Sequence, residues 1–348
     1  MNRGTGSLDL LIAGGGPAGL ATALYAARAG LDAVVAEPRP APVDKACGEG
    51  LMPGAVRALT ALGIELPGHH LSGIRYVQDG SRADAAFRRG PGLGVRRTDL
   101  HAALHRAVLE AGVPVLPLAV GDVRQDGTGV TLPGTGLRAR WLVAADGLHS
   151  PVRRRLGLDL SARTAAAPRY GLRRHYAVPP WSSRVEVHWG SHAEAYVTPL
   201  GPGLVGVALL TARRGAYADQ LRDFPCLAAR LPAEAAVTAV RGAGPLRQGA
   251  RTRVHGRVLL VGDAAGYVDA LTGEGVLLAL AGAEVLVRNV CRGTPERYEA
   301  DWRRATRRHR LLTDLLLRAR RQPALAHRIT PAAARLPALF TAAVNALA

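Results

Sequence analysis

The chain opens with a run of apolar residues, Leu8-Asp9-Leu10-Leu11-Ile12-Ala13, cut off by three glycines. A short apolar run ending in glycine predicts a buried parallel strand. Leu20, Leu24 and Ala27 then recur at helical spacing between Ala18 and Ala29, and Gly30 stands where a helix ends. Ala33-Val34-Val35-Ala36 is a second strand, closing a strand–helix–strand unit at Glu37. Trp141 to Ala144 and Val258 to Val261 repeat the short apolar pattern and predict further buried strands. Between them the pattern changes. Arg184-Val185-Glu186-Val187-His188-Trp189 and Leu204-Val205-Gly206-Val207-Ala208 alternate or carry β-branched residues, so Gly171 to Leu210 is expected to be largely β. Beyond Asn289, Trp302, Leu311, Leu312, Leu315 and Leu316 fall at mixed helical spacing and predict a basic helical tail.

Candidate chemistry sits where the strands end. Gly14-Gly15-Gly16-Pro17-Ala18-Gly19 is a G-x-G-x-x-G run between the first strand and its helix. Gly14 suits the tight turn, Gly16 lets backbone approach a pyrophosphate, and Gly19 lets helix and strand pack closely. The free N–H groups and the positive dipole end of the helix favour phosphate there. Glu37 is placed to accept hydrogen bonds from ribose hydroxyls. A carboxylate at that point disfavours a 2′-phosphate, which leaves FAD or NAD. Asp146-Gly147 forms a turn after the third strand. Gly262-Asp263 follows the fourth, and Gly273-Glu274-Gly275 opens a helix at Val276. An aspartate at a strand end can accept from a ribityl hydroxyl, and a glycine-rich helix start can present N–H groups to a flavin oxygen or a phosphate.

Composition narrows the organisation. At 348 residues the chain exceeds the roughly 250–300 at which a single core stops growing, so two domains or one domain with an insertion are expected. Cys47, Cys226 and Cys291 are scattered, giving neither a disulfide framework nor a zinc site, and point to a reducing, cytoplasmic setting. The net charge of +18 changes less than it first suggests. Lys45 is the only lysine, and an Arg, Ala, Gly and Pro excess with almost no Lys is what GC-rich codons produce. The densest cationic runs, Arg153 to Arg155 and Arg303 to Arg310, lie far apart with few aromatics between, so nucleic acid is not the expected partner. The stretch from Pro331 to Ala348 is apolar but shorter than the roughly 20 residues of a membrane span, and Arg335 interrupts it. A soluble chain is expected, whose last stretch packs on the core or lies on a membrane surface, and whose helical segment beyond Asn289 covers a substrate pocket, joins a dimer contact or touches a membrane surface.

Through these residues the chain resembles the FAD-dependent group that includes para-hydroxybenzoate hydroxylase-like aromatic monooxygenases and geranylgeranyl reductases. The G-x-G-x-x-G, Asp-Gly and Gly-Asp fingerprints of that family all occur here in order, between residues 7 and 290. The resemblance implies an α/β fold with a Rossmann-like FAD-binding domain of the glutathione-reductase type, assembled from residues 1–75, 93–165 and 240–290. A mostly β substrate domain is then inserted as 76–92 and 166–239, with C-terminal helices over 291–348. It implies that Gly14, Gly16, Pro17, Ala18, Gly19 and Glu37 hold the ADP half of FAD. Lys45, Gly48, Arg97, Asp146 and Gly147 are expected around the pyrophosphate and its neighbours, and Gly262, Asp263, Gly273, Gly275 and Val276 at the ribityl and ring end. NAD(P)H is expected as a transient reductant, and no resident metal.

Two segments look like the reductase branch. Asp44-Lys45-Ala46-Cys47-Gly48-Glu49-Gly50-Leu51 resembles its Lys-Pro-Cys-Gly-Gly-Gly-Leu loop, with Ala46 for Pro and Glu49 for Gly. Gly262 to Gly275 resembles its Gly-Asp segment, with Gly266 where aromatic hydroxylases usually carry His. Against this, the branch's Tyr-x-Trp-x-Phe-Pro signature survives only as Tyr196-Val197-Thr198-Pro199. The missing aromatics line a prenyl channel in relatives. Their loss favours a hydroxylase of an apolar or phenolic small molecule, with a double-bond reductase and a non-catalytic prenyl or lipid carrier as alternatives. Cys47, Glu49 and His175 are the candidate catalytic side chains, each also readable as an ordinary structural residue. His188 with Trp189 stands in the same predicted sheet.

Overall fold

The computed structural model describes residues 8–160 and 168–348. Its first sheet runs Val254–His255, Val258–Leu260, Arg138–Ala144, Leu8–Ala13, Ala33–Ala36, Val115–Leu116, and every pairing among the last five is parallel. Leu10, Leu11 and Ile12 on the central strand are all fully buried, so both faces of the strand are covered, which is why it reads as an unbroken apolar run. Pro17–Arg28 and Gly275–Cys291 are helices that pack on one another beside this sheet. The predicted strand–helix–strand unit is therefore present, with Gly30 at φ +73 just past the helix end. Arg124–Gln125 and Val130–Thr131 add an antiparallel flap that the sequence pattern did not announce.

The second sheet has seven strands in the order Arg241–Ala243, Tyr170–Tyr176, Leu204–Thr211, Ala193–Gly201, Arg184–Trp189, Gly73–Gln78, Ser81–Ala86. Period-two alternation gives it two different faces. Ala195, Val197, Val205, Val207 and Leu209 pack under the short helices Tyr217–Leu221 and Pro225–Ala228, around Tyr217 and Phe224. Tyr196, Thr198, Ala208 and Leu210, one residue out of step, face a cavity on the other side. A three-stranded sheet, Gly50–Leu51, Gly92–Gly94 and His69–Leu71, lies between the two larger ones.

The strands correct the expected segment limits. A break between 75 and 76 would cut the continuous strand Gly73–Gln78, a break between 92 and 93 would cut Gly92–Gly94, and Arg241–Ala243 pairs with Tyr170–Tyr176 rather than with the first sheet. The expected break at 165–166 lies outside the described residues. The cause is simple: hydrogen-bonded ladders run past the points where composition changes.

The C-terminal segment folds as the long helix Tyr298–Arg321 followed by Ile329–Arg335 and Pro337–Leu347. The last two pack on the outer strand Ser81–Ala86, with Phe340 and Val344 against Ala83 and Ala85. Among the described residues, no helix is long and apolar enough to cross a membrane.

Candidate active site

The glycine loop is shaped by sterics. Gly14 has φ +106, and a Cβ there would stand 2.5 Å from the Ala145 carbonyl oxygen; a Cβ on Gly19 would stand 1.9 Å from that of Gly14. No side chain fits at either point. Gly16 is different, since a Cβ on it would meet no atom within 4 Å and would instead stand in open space at the start of Pro17–Arg28. That space belongs to a cavity of about 1050 Å³.

Thirteen of the sixteen expected cofactor residues line this cavity: Gly16, Pro17, Ala18, Lys45, Gly48, Arg97, Asp146, Gly147, Gly262, Asp263, Gly273, Gly275 and Val276. Gly14 and Gly19 form the turn behind it. Glu37 departs from expectation. Its carboxylate accepts from the Gly15 N–H at 2.9 Å, from the Arg39 N–H at 3.0 Å, and from the Arg39 guanidinium at 2.7 and 2.9 Å. Burial pushes this carboxyl up, but those donors outweigh it and hold it at about 2. Its four lone-pair positions are all used, so Glu37 fastens the glycine loop and a ribose would have to displace the exposed Arg39. His101 fastens the same loop from below, with Nε2 2.9 Å from the Gly15 carbonyl oxygen. Burial and the Arg97 charge push His101 down to about 4, so it stands neutral.

The orphaned polar atoms test whether FAD fits. Arg97 Nη1 and Asp146 Oδ1 are buried without a hydrogen-bond partner in the protein, and both residues line the cavity. An unpaired donor on a buried guanidinium is costly unless an anionic ligand meets it. Lys45 lies on the same wall, accessible from the cavity yet enclosed enough that burial and Arg39 push its ammonium down. Asp263 is pushed up by burial, with Lys45 and Arg97 opposing. Cations, carboxylates and the open helix start on the wall of one cavity match a ligand that carries a diphosphate and a polyol, so the residues present fit FAD.

Beside this cradle, the loop Asp44 to Gly50 brings the three catalytic candidates together. Glu49 is buried and sits at φ +59, a left-handed conformation that costs a non-glycine residue roughly 1–2 kcal/mol. Two contacts offset that cost: Oε1 accepts from the Arg97 N–H at 2.8 Å, and Oε2 lies 2.6 Å from His175 Nε2. Charge-assisted bonds of this kind contribute about 1.5–3 kcal/mol each. The other ring nitrogen, Nδ1, lies 3.1 Å from Arg173 Nη1 and 3.2 Å from Thr238 Oγ1. A guanidinium only donates, so Nδ1 accepts and the proton sits on Nε2, facing Glu49. Cys47 Sγ accepts from the Glu49 N–H at 3.4 Å, and burial with the Glu49 carboxylate pushes the thiol up, so it keeps its proton. Cys47 and Glu49 line the cavity, whereas His175 stands behind Glu49.

Several residues that matter were passed over in the sequence. Arg153, read there only as part of a cationic run, is fully buried; it donates to Asp159 at 2.8 Å, to the carbonyls of Leu148 at 2.9 Å and Ala264 at 3.0 Å, and to Gln248 at 2.7 Å. It ties the Asp-Gly turn to the Gly-Asp turn. Arg173 pairs with Asp44 and so anchors the Cys47 loop to the second sheet. The strand Ala193–Gly201 reaches both cofactor loops: Thr198 Oγ1 donates to the Gly48 carbonyl at 2.7 Å and the Tyr196 hydroxyl to that of Leu271 at 2.8 Å. Glu194 on that strand is clamped by Arg169 at 2.6 Å and by Arg320 of the long C-terminal helix. The pattern Glu-Ala-Tyr-Val-Thr-Pro signalled the strand but not these contacts. His188 stays structural, 3.3 Å from Glu186, and the Trp189 ring packs edge-on against Tyr76 at 5.1 Å. Among the described residues no group of His, Cys, Asp and Glu could hold a metal ion.

Away from the cradle, the cavity continues between Val185, Val187 and Leu210 of the second sheet and Leu316, Ala333 and Phe340 of the C-terminal helices. This end is apolar, mostly aliphatic, with the packed rings of Tyr76 and Phe340 among its lining.

Comparison with known proteins agrees with the cradle. Residues 7–108 and 118–204 match the family described as FAD binding domain. Menaquinone reductase of Mycobacterium tuberculosis is 32% identical over 312 residues, covering 78% of this chain and 73% of the relative. Digeranylgeranylglycerophospholipid reductase of Methanosarcina acetivorans is 29% identical over 301 residues, 80% of this chain and 73% of the relative. Among solved structures, the flavin-dependent brominase Bmp2 superposes with a TM-score of 0.79 at 17% identity, covering 98% of this chain and 93% of that one. At that identity the likeness speaks for the fold alone. With its glycine loop, its Asp-Gly and Gly-Asp turns and these matches, the chain belongs to the FAD-binding oxidoreductase family that contains menaquinone reductases and geranylgeranyl reductase-like enzymes.

Proposed function

We propose that this flavoprotein reduces a carbon–carbon double bond in a long apolar chain of the isoprenoid kind. The observation that carries the reading is the continuity of one cavity from the cofactor loops to an aliphatic end walled by the C-terminal helices. The sequence favoured hydroxylation because the prenyl-channel Trp and Phe are missing. That argument weakens once Leu312, Leu315, Leu316, Ile329 and Phe340 supply a hydrophobic wall from elsewhere in the chain. The names of the reductase relatives support the same direction.

FAD, when bound, supplies the hydride. The chain's own residues do the rest. Arg97, Lys45 and the open N-terminus of Pro17–Arg28 bind and orient the cofactor; the aliphatic wall excludes water and aligns the double bond. Saturation adds a hydride to one carbon and a proton to the other. The protonated Cys47 thiol on the cavity wall is the group that gives this proton, with Glu49 and the Nε2 proton of His175 immediately behind it. The reducing electrons come from NAD(P)H or a protein donor.

The test is anaerobic turnover of the flavin-loaded protein with a prenylated quinone and with a short phenol. A product heavier by two hydrogens supports the proposal. A product heavier by one oxygen atom in air points to the hydroxylase, and a protein that purifies without flavin to the lipid carrier.

A further inference from the structure

We infer that the face formed by Ile329–Arg335, Pro337–Leu347 and the later turns of Tyr298–Arg321 docks on an anionic lipid bilayer, and that the cavity opens into it. Leu315, Leu336 and Leu339 line the cavity and yet are 49%, 55% and 65% exposed. Large aliphatic side chains that are both cavity wall and outer surface mark a mouth. Leu311 and Leu325, at 54% and 43% exposed, extend the apolar surface beyond that mouth without lining it. Large exposed leucines gathered on the helices that wall a cavity mouth mark an interaction surface.

Charge selects the occupant. From Leu315 to Ala348 the sequence contains no Asp or Glu but carries Arg318, Arg320, Arg321, Arg328 and Arg335. Arg320 is spent on Glu194, and the other four are exposed. Asp314, the acid between Leu311 and Leu315, is paired with Arg247; leucines flanked by arginines in this way fit the boundary between headgroups and acyl chains, and each cation near an anionic surface strengthens binding about fivefold. A second copy of this chain is a poor occupant, since a surface from a molecule of charge +18 offers little to neutralise those arginines. Neither helix can cross the bilayer, so the face lies on it. The use of such docking, drawing a lipid-borne chain sideways into the cavity, rests on the reductase reading; the docking itself does not.

The test is co-sedimentation of the full flavin-loaded chain with vesicles of phosphatidylglycerol and phosphatidylcholine, against phosphatidylcholine alone. Binding is expected to be about tenfold tighter to the anionic vesicles and to weaken as salt rises. Leu311→Asp with Leu325→Asp, which leave the cavity wall untouched, should lower vesicle binding about tenfold while flavin content and turnover of detergent-dispersed substrate stay unchanged. Arg328→Glu with Arg335→Glu should abolish the preference for anionic vesicles. Vesicle binding that ignores both pairs overturns the proposal, as does failure to bind anionic vesicles. A dimer in sedimentation velocity that either pair dissociates also overturns it, by giving the face to a second copy. No turnover is needed for the vesicle measurement, so docking with no double-bond reduction would sink the reductase reading alone.

Discussion

The two ends of the cavity are built on opposite principles. At the cofactor end the contacts are backbone and charge: glycines that admit no side chain, an open helix start, and the orphaned Arg97 and Asp146 atoms that want a ligand. At the far end the surface is apolar and comes from segments far apart in sequence, with Val185, Leu210 and Tyr76 of the second sheet and Phe340 of the last helix. One end specifies its ligand by geometry that tolerates no change. The other specifies a class of ligand by volume and dryness, and is correspondingly open to drift.

That contrast can be broken by substitution. The largest effect is expected from Gly19→Val: the added side chain meets the Gly14 carbonyl oxygen at the base of the loop, and the protein should purify colourless, with its flavin absorption lost. Arg97→Met removes one charge-assisted donor set and should weaken FAD binding by about 10–100-fold in a fluorescence-quenching titration, with the fold retained by circular dichroism. Ala332→Trp, at the aliphatic end, should leave FAD affinity unchanged and lower kcat/KM for a long-chain substrate by about tenfold, with a truncated analogue spared. An equal loss on both substrates would sink the idea that this end reads chain length.

The smallest effect concerns acid. His101 is held down at about 4 against an ordinary 6.5, so between those values the unfolded chain binds a proton that the native one does not, and stability falls as pH drops from 6.5 to 4. Glu37, held at about 2, extends the loss from 4.5 downward. His101→Gln should flatten the first part of this profile, raising Tm at pH 5 relative to the parent by about 2–4 °C while leaving it little changed at pH 8. A pH dependence identical to the parent's would assign the acid sensitivity elsewhere.

Legibility in the sequence followed the same divide. Gly14, Gly16 and Gly19 could be read because steric requirements are local and leave a fixed spacing. Asp146 and Asp263 could be read because each ends an apolar strand. Arg153 and Arg173 were hidden in a composition crowded with arginine, and their partners, Gln248 and Asp44, lie 95 and 129 residues away. Glu37 was read as a ligand contact because its position is right, but Arg39 two residues on, which saturates it, carries no signal of its own. The C-terminal helices were legible as helices. A cover over the pocket was among the roles expected of them; which of their residues form its wall was not legible, since hydrophobic spacing says which face is buried and not what it faces.

The Glu194 clamp carries a consequence for descent. Arg169, 25 residues ahead in partnership, and Arg320, 126 residues beyond, converge on one fully buried carboxylate. Losing either arginine leaves the buried carboxylate with a single cation, and losing Glu194 leaves Arg320 with only the carbonyls of Gly190 and Ser191 while Arg169 keeps Asp269. A lineage that trims or exchanges its C-terminal helix must therefore rewrite a strand in the middle of the gene at the same time, so these three codons should be inherited, or lost, together.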